Sequence, residues 1–204
     1  MKVTLINKPT LEFTDWAIGE CYDKGCYIDP EKRNKRIYRV ANVSKHSSVL
    51  EFTHYVFEIE ASTKVLLELT RHRHASYACK SSRYTLDKGE IIFEKTGDPE
   101  VDLQLSKWQT IVEDMLALGK KNDIISLMLP QAYQYRWIVE FNARSLQNFL
   151  ELRLDKHAHY HIREVALAMY QALPEEHKFL FNEICEQKKA AVEQVTNVIS
   201  KNGN

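Results

Sequence analysis

The 204-residue sequence has no excess of charge of either sign, because 28 lysines and arginines balance 28 aspartates and glutamates. This balance excludes the general positive field on which non-specific nucleic-acid binding depends. No hydrophobic run is long enough to span a membrane, and Asn7, Lys8 and Pro9 interrupt the N-terminal apolar residues too early for a signal peptide. We therefore expect a soluble, cytoplasmic protein with no nucleic-acid and no membrane partner, in which any anion-binding site is local.

Cysteine is scarce, and no segment rich in proline, glycine or serine divides the chain. Cys21, Cys26, Cys79 and Cys185 are too few for a disulfide framework at this length. Cys21 and Cys26 also lack a second cysteine or histidine pair at zinc-finger spacing. We expect reduced thiols, no bound metal, and one domain that covers residues 1–204.

Apolar residues recur with two different periods, which predicts an α+β fold with more helix than strand. Strict alternation predicts two half-buried strands, over residues 54–60 and 133–141. Shorter strands are predicted at residues 2–6 and 91–93.

Helical spacing of apolar residues predicts the other elements. The predicted helices begin at residues 14, 33, 63, 99, 123, 142, 155 and 175, and the last extends to about residue 200. Asp15 and Asp155 are predicted to cap two of them, and Asn142 or Ser145 a third, because a side-chain oxygen can accept from first-turn amides. The polar segment 23–35 is predicted to be a loop, and the apolar stripe within residues 101–115 to be buried in the core.

The densest group of polar side chains lies in residues 71–85, which hold four Lys or Arg, two His, three Ser and one Cys without any Gly or Pro. A solvated helix end would explain part of this, because cations complement the negative pole of a helix. Anion binding explains more, since guanidinium groups and serine hydroxyls both bind phosphate oxygens. Arg71 and Arg73 are separated from the donors of residues 81–83, and two donor clusters indicate two phosphorylated ligands.

A second polar group follows in residues 142–157. Arg144 and Asn148 are four residues apart, and Arg153 and His157 repeat that spacing, so each pair would share one face of a helix. Packing against neighbouring carboxylates on the same helix would explain the pattern equally well.

Together the two groups resemble the flavin-dependent thymidylate synthases. The order Arg-His-Arg, seven residues, Ser occurs at residues 71–81, and Asn-x-Arg-Ser-Leu-x-Asn-Phe-x-x-x-Arg occurs at residues 142–153. The resemblance includes residues 46–51 and covers most of residues 10–180. It implies a single domain with a central, mainly antiparallel sheet flanked by helices. It also implies a homotetramer built around FAD that converts dUMP to dTMP, with methylenetetrahydrofolate as carbon donor and NADPH as reductant.

The resemblance assigns a role to each matched residue. FAD would be contacted by Arg71, His72, Arg73, Ser48, Asn142, Arg144, Asn148 and His157, in part from a neighbouring subunit. The substrate-binding residues would be Glu68, Lys80, Ser81, Ser82, Arg83 and Arg153. The catalytic residues would be Arg153, which binds and polarises the uracil ring, Ser81, and His46 on the flavin and folate side.

Three departures from the family pattern leave an alternative open. Ala78 and Cys79 stand where the family usually has Asn-Glu, Ser126 stands where an arginine is often found, and Glu68 replaces a frequent glutamine. The alternative is a catalytically impaired relative that still binds flavin or nucleotide. A nucleic-acid-binding module is a weaker alternative, because the net charge is zero.

Two further features suggest other chemistry. The thiolate of Cys79 could add to the pyrimidine if neighbouring cations lowered its pKa. The histidine-rich segment 157–161 resembles a metal tract, but on a helix only His157 and His161 would share a face. Two imidazoles do not close a metal site.

Overall fold

The centre of the fold is a four-stranded antiparallel sheet in the order β1-β2-β4-β3. The computed structural model describes residues 1–188, 190 and 193. In that part of the chain the strands are β1 (Lys2–Leu5), β2 (His54–Ser62), β3 (Ala75–Cys79) and β4 (Gln134–Asn142). β2 and β4 pair along their whole length, in a register that places Phe57 opposite Val139.

One face of this sheet forms the core. The inward residues of the two central strands are almost completely buried, and they are Tyr55, Phe57, Ile59, Trp137, Val139 and Phe141. Two helices, at residues 143–153 and 160–171, cover them through Leu146, Phe149 and Val165. The alternation predicted for both strands is confirmed, because a period of two places one side-chain set against the core.

Most helices of the described chain pack around this core, while Val112 and Ile125 belong to helices that pack on a second, smaller apolar cluster. The described helices are α1 (Glu12–Cys21), α2 (Pro30–Tyr38), α3 (Thr63–Leu69), α4 (Ser82–Thr85), α5 (Pro99–Ala117), α6 (Asn122–Ile125), α7 (Ala143–Arg153), α8 (Tyr160–Gln171) and α9 (Asn182–Gln187). Short 3₁₀ helices occupy Ser47–Phe52, Leu86–Lys88, Ser126–Met128 and Glu175–Leu180, and a π-helical turn occupies Arg39–Val43. The predicted α+β class is confirmed. Within the described residues, no helix combines the length and hydropathy that crossing a bilayer requires.

The predicted loop at residues 23–35 is wrong in its second half, where α2 begins at Pro30. The side chain of Asp29 accepts a hydrogen bond from the amide of Glu31 (2.9 Å). Proline in the first helical turn loses no internal hydrogen bond. Asp29 and Pro30 together therefore start a helix and do not extend the loop.

Three other predictions differ from the structure. Residues 91–93 form only an isolated bridge, from Phe93 to Tyr133. The stripe on α5 is mostly exposed, since Val112 is buried while Trp108 is 40% exposed. The helix predicted from residue 175 begins as the 3₁₀ helix, turns at Phe181 and continues as α9, and most of its remainder lies outside the described residues.

Asp15 does not cap α1, because it lies inside the helix with its side chain completely buried. Its carboxylate pairs with the guanidinium of Arg36 on α2 (2.6 Å) and accepts from the amide of Tyr27 (2.6 Å). The pair therefore joins α1, α2 and the segment between them.

We expect Asp15→Ala to lower the free energy of unfolding by about 3 kcal/mol, because it leaves the buried guanidinium of Arg36 without a counter-charge. The matched control is Glu12→Gln, which removes a surface pair between the same two helices, with Arg33 at 3.5 Å. That change is expected to cost less than about 0.5 kcal/mol. Urea unfolding followed by tryptophan fluorescence measures both, and equal losses would contradict the assignment.

Candidate functional site

A polar cleft with a volume of about 910 Å³ runs along α7. It is lined by Glu51, Arg71, His72, Arg73, His74, Asn142, Arg144, Ser145, Asn148, Leu152 and Arg153. Two polar groups that are far apart in the sequence therefore line one cavity. No role was predicted for Glu51, His74, Ser145 or Leu152, although each lies within or beside a matched motif.

The sheet brings the two groups together. β2 continues directly into α3, and β4 continues directly into α7. Because the two strands are antiparallel, the helices start at opposite ends of the sheet and run back over the same face. The end of α3 and the turn at residues 70–74 therefore meet the side of α7.

The N-terminal part of α7 carries three predicted residues. Asn142 caps the helix, as predicted, by accepting a hydrogen bond from the amide of Ser145 (2.8 Å). Arg144 and Asn148 follow on the same helix, and the guanidinium of Arg144 pairs with the carboxylate of Glu51 (2.7 Å). Both charged partners are about half exposed, so a ligand can compete for Arg144.

The C-terminal end of α7 holds Arg153 in a more rigid setting. Its Nε donates to His72 Nε2 (2.8 Å), Nη1 donates to Glu68 Oε2 (3.0 Å), and Nη2 donates to the backbone oxygen of Glu68 (2.9 Å). The side chains of Arg153 and Glu68 are only 16% and 14% exposed. Arginine has no acceptor, so His72 must accept at Nε2 and carry its proton on Nδ1.

His72 is held in place from several sides. Its ring packs edge-on against Phe149, with 4.9 Å between ring centroids. The hydroxyl of Tyr77 lies 2.8 and 2.7 Å from the backbone oxygens of Leu69 and His72, which fixes the turn after α3. Burial, followed by the nearby charge of Arg153, lowers the pKa of His72 to about 4. The imidazole is therefore neutral near pH 7.

The predicted substrate-binding residues Lys80, Ser81, Ser82 and Arg83 lie beyond β3. The amide of Lys80 extends the strand pairing to the backbone oxygen of Arg136 (3.0 Å). Ser81 precedes the short helix α4, which begins at Ser82, and Arg83 pairs with Asp123 at the surface (2.9 Å). The five residues of β3 extend the chain by roughly 17 Å, so these donors form a group separate from the described cleft.

His46 and Ser48 line a smaller pocket of about 280 Å³ beside the cleft. Arg144 lines both cavities and so connects them. Ser48 also borders an apolar pocket of about 1020 Å³ that contains Phe13 and Trp16. This pocket was not predicted from the sequence, although the spacing of three between these two aromatic residues places them on one face of α1.

His157 is not on the same helix as Arg153, so the predicted sharing of a face is wrong. α7 ends at Arg153 and α8 begins only at Tyr160. The carboxylate of Asp155 accepts from the amide of His157 (3.0 Å) in the turn between them, so Asp155 does not cap α8. In the described part of the chain, His157 does not line the cleft.

The other chemistry considered from the sequence finds little support. Partial burial raises the pKa of Cys79, whereas thiolate addition would need a lowered value. Among the described residues, no group of three or more His, Cys, Asp or Glu side chains is placed to hold a metal ion.

Comparison with known proteins gives one consistent family. Residues 12–177 match the family model of the thymidylate synthase complementing proteins. The flavin-dependent thymidylate synthase of Wolinella succinogenes is 39% identical, in an alignment that covers 89% of this chain and 97% of that protein. The enzyme of the same name from Helicobacter pylori strain 26695 is 34% identical, in an alignment that covers 90% of this chain and 98% of that protein.

Comparison with solved structures gives the same family. A crystal structure of thymidylate synthase X from Helicobacter pylori, with FAD and dUMP, superimposes with a TM-score of 0.82 at 32% identity. The match covers 90% of this chain and 99% of that chain.

We expect selective nitrogen-15 labelling of histidine to find His72 neutral at pH 6, with its proton on Nδ1. The folded pKa of about 4 lies below the ordinary value of 6.5, so the unfolded chain takes up this proton first. The contribution of His72 to stability is therefore present above pH 6.5 and is lost as the pH falls toward 4. In Arg153→Ala, the pKa of His72 should rise, because the repelling guanidinium is gone. Finding a doubly protonated His72 at pH 6 in the unaltered protein would refute this assignment.

Proposed function

This chain belongs to the family of flavin-dependent thymidylate synthases, and we propose that it converts dUMP to dTMP with FAD bound in the cleft along α7. The observation that carries the proposal is the convergence of residues 71–73 and of the motif at residues 142–153 on one cavity, with Arg153 at its end. The carbon donor would be methylenetetrahydrofolate and the reductant NADPH. We place the protein in the cytoplasm, where free cysteines such as Cys79 are typical.

The cleft suits the diphosphate of FAD. Arg71, Arg73 and Arg144 all lie at its wall with exposed side chains, and guanidinium groups bind phosphate oxygens in pairs. Among the lining residues of the described chain, Glu51 is the one carboxylate, and Arg144 already neutralises it. The flavin, when bound, supplies hydride chemistry that amino-acid side chains cannot offer.

Arg153 would act on the uracil ring. An arginine side chain has five N–H donors, and three of them are used by His72 and Glu68. The other two remain for a ligand. Donated to a uracil carbonyl, they would stabilise the negative charge that develops on the ring during reaction.

The phosphate of dUMP would be held by residues 80–83, where Arg83 would exchange its surface partner Asp123 for the phosphate. Within one chain this cluster is separated from the cleft by the length of β3. We infer that residues of two chains together bind one nucleotide, in a homotetramer with shared sites. His157 and His46 would join such a site from a neighbouring subunit and from the small pocket, respectively.

The purified protein should be yellow and should release tritium from dUMP labelled at carbon 5 of uracil only with methylenetetrahydrofolate and NADPH present. Arg153→Ala should keep the flavin and lose about a hundredfold in turnover, as expected for loss of a group that stabilises developing charge.

A yellow but inert protein would instead indicate the catalytically impaired relative. A colourless protein that binds an oligonucleotide would exclude both flavoprotein functions. Light scattering that finds a monomer with full turnover would contradict the shared sites.

We expect Cys79→Ala to keep turnover within about twofold of the unaltered enzyme, because burial raises the pKa of the thiol and disfavours the nucleophilic thiolate. The matched control is Cys185→Ala, since burial also raises the pKa of Cys185, to about 11, and it lies on α9. Loss of turnover in the first variant alone would mean that Cys79 acts as a nucleophile.

A further inference from the structure

We propose that Glu68 is a positioning residue, which fixes the guanidinium of Arg153 in one orientation, and not a residue that binds substrate directly. The inference rests on the proposed function, in which Arg153 binds the uracil ring. Glu68 offers Arg153 two separate acceptors, its carboxylate oxygen Oε2 at 3.0 Å and its backbone oxygen at 2.9 Å. Both side chains are mostly shielded from water, where such charged hydrogen bonds are strong.

The guanidinium has no freedom to turn within this setting. Two acceptors of Glu68 bind its two terminal nitrogens, and His72 Nε2 binds Nε at 2.8 Å. A planar group held at all three nitrogens is fixed in plane and in direction. The two unused N–H groups, one on Nη1 and one on Nη2, are therefore each held in a fixed orientation, which is the kind of preorganisation that catalysis requires.

The carboxylate of Glu68 is already occupied by other cations. Its Oε1 lies 3.8 Å from the ammonium of Lys64, and its Oε2 lies 4.0 Å from Arg71 as well as 3.0 Å from Arg153. A carboxylate shared by three cations has little capacity left for a neutral uracil ring. Its direct role is thus to balance charge and to orient Arg153.

A glutamine at this position would preserve part of the arrangement. The amide oxygen can accept from Arg153 as the carboxylate does, but the amide group carries no charge to balance Lys64 and Arg71. Orientation of Arg153 should therefore survive in Glu68→Gln and be lost in Glu68→Ala.

The test is a double-mutant cycle that measures dUMP binding to the flavin-loaded protein by titration calorimetry. Glu68→Ala should weaken dUMP binding about tenfold, the size expected for loss of a hydrogen bond to a charged group. The double variant Glu68→Ala, Arg153→Ala should bind dUMP no more weakly than Arg153→Ala alone, because Glu68 acts only through Arg153. Glu68→Gln should stay within about threefold of the unaltered protein.

Losses from Glu68→Ala and Arg153→Ala that simply add would overturn the inference, since they would mean that Glu68 contacts dUMP independently. The control is Lys64→Ala, which removes a partner of Glu68 on the side away from Arg153 and should leave dUMP affinity unchanged. If Glu68→Ala does not retain flavin, Glu68→Asp replaces it in the cycle, because the shorter side chain keeps the charge but withdraws it from Nη1.

This test separates the inference from the proposed function. An unaltered protein that fails to bind dUMP and to release tritium would overturn both. An unaltered protein that turns over, with additive losses in the cycle, would overturn only the role of Glu68.

Discussion

The pairing of β2 with β4 determines where the residues of the cleft lie. Each strand has a fully buried face, so a shift of one residue would expose Phe57 and Val139 to water, which makes the register strongly specified. Both strands continue without a break into helices, so the register also sets the relative position of α3 and α7. The distance from Glu68 to Arg153 is thus a consequence of hydrophobic packing in the sheet.

Positive charge is concentrated in the cleft, although the chain as a whole has no net charge. The cleft is lined by Arg71, Arg73, Arg144 and Arg153. Two of these cations are balanced inside the protein in different ways. Arg153 is bound firmly in a shielded network, while Arg144 shares an exposed pair with Glu51 that a ligand can replace. The cleft therefore combines a fixed donor, Arg153, with an exchangeable donor, Arg144.

The sequence predicts features that depend on local pattern, such as the alternation in β2 and β4 and the cap at Asn142. Prediction from the sequence fails where a polar residue could either cap a helix or pair with a distant residue. Asp15 resembles a cap, but its partner Arg36 is 21 residues away. The contacts of Arg153 with His72 and Glu68 span 81 and 85 residues, so no local pattern reveals them. β3 escapes prediction because three of its five residues are exposed, which leaves little alternation to read.

β3 separates the donors of the cleft from the donors at residues 80–83. β3 runs antiparallel to β4. The chain therefore leaves the cleft at His74 and reaches Lys80 at the opposite end of β3. α7 is a continuous helix fixed in the core through Leu146 and Phe149, and it cannot bend toward Lys80 without breaking that packing. The two groups therefore stay apart along β3 within one chain. If both groups bind ligands of one reaction, a second chain would bring them together in the proposed homotetramer, and association of subunits would then be a condition for catalysis.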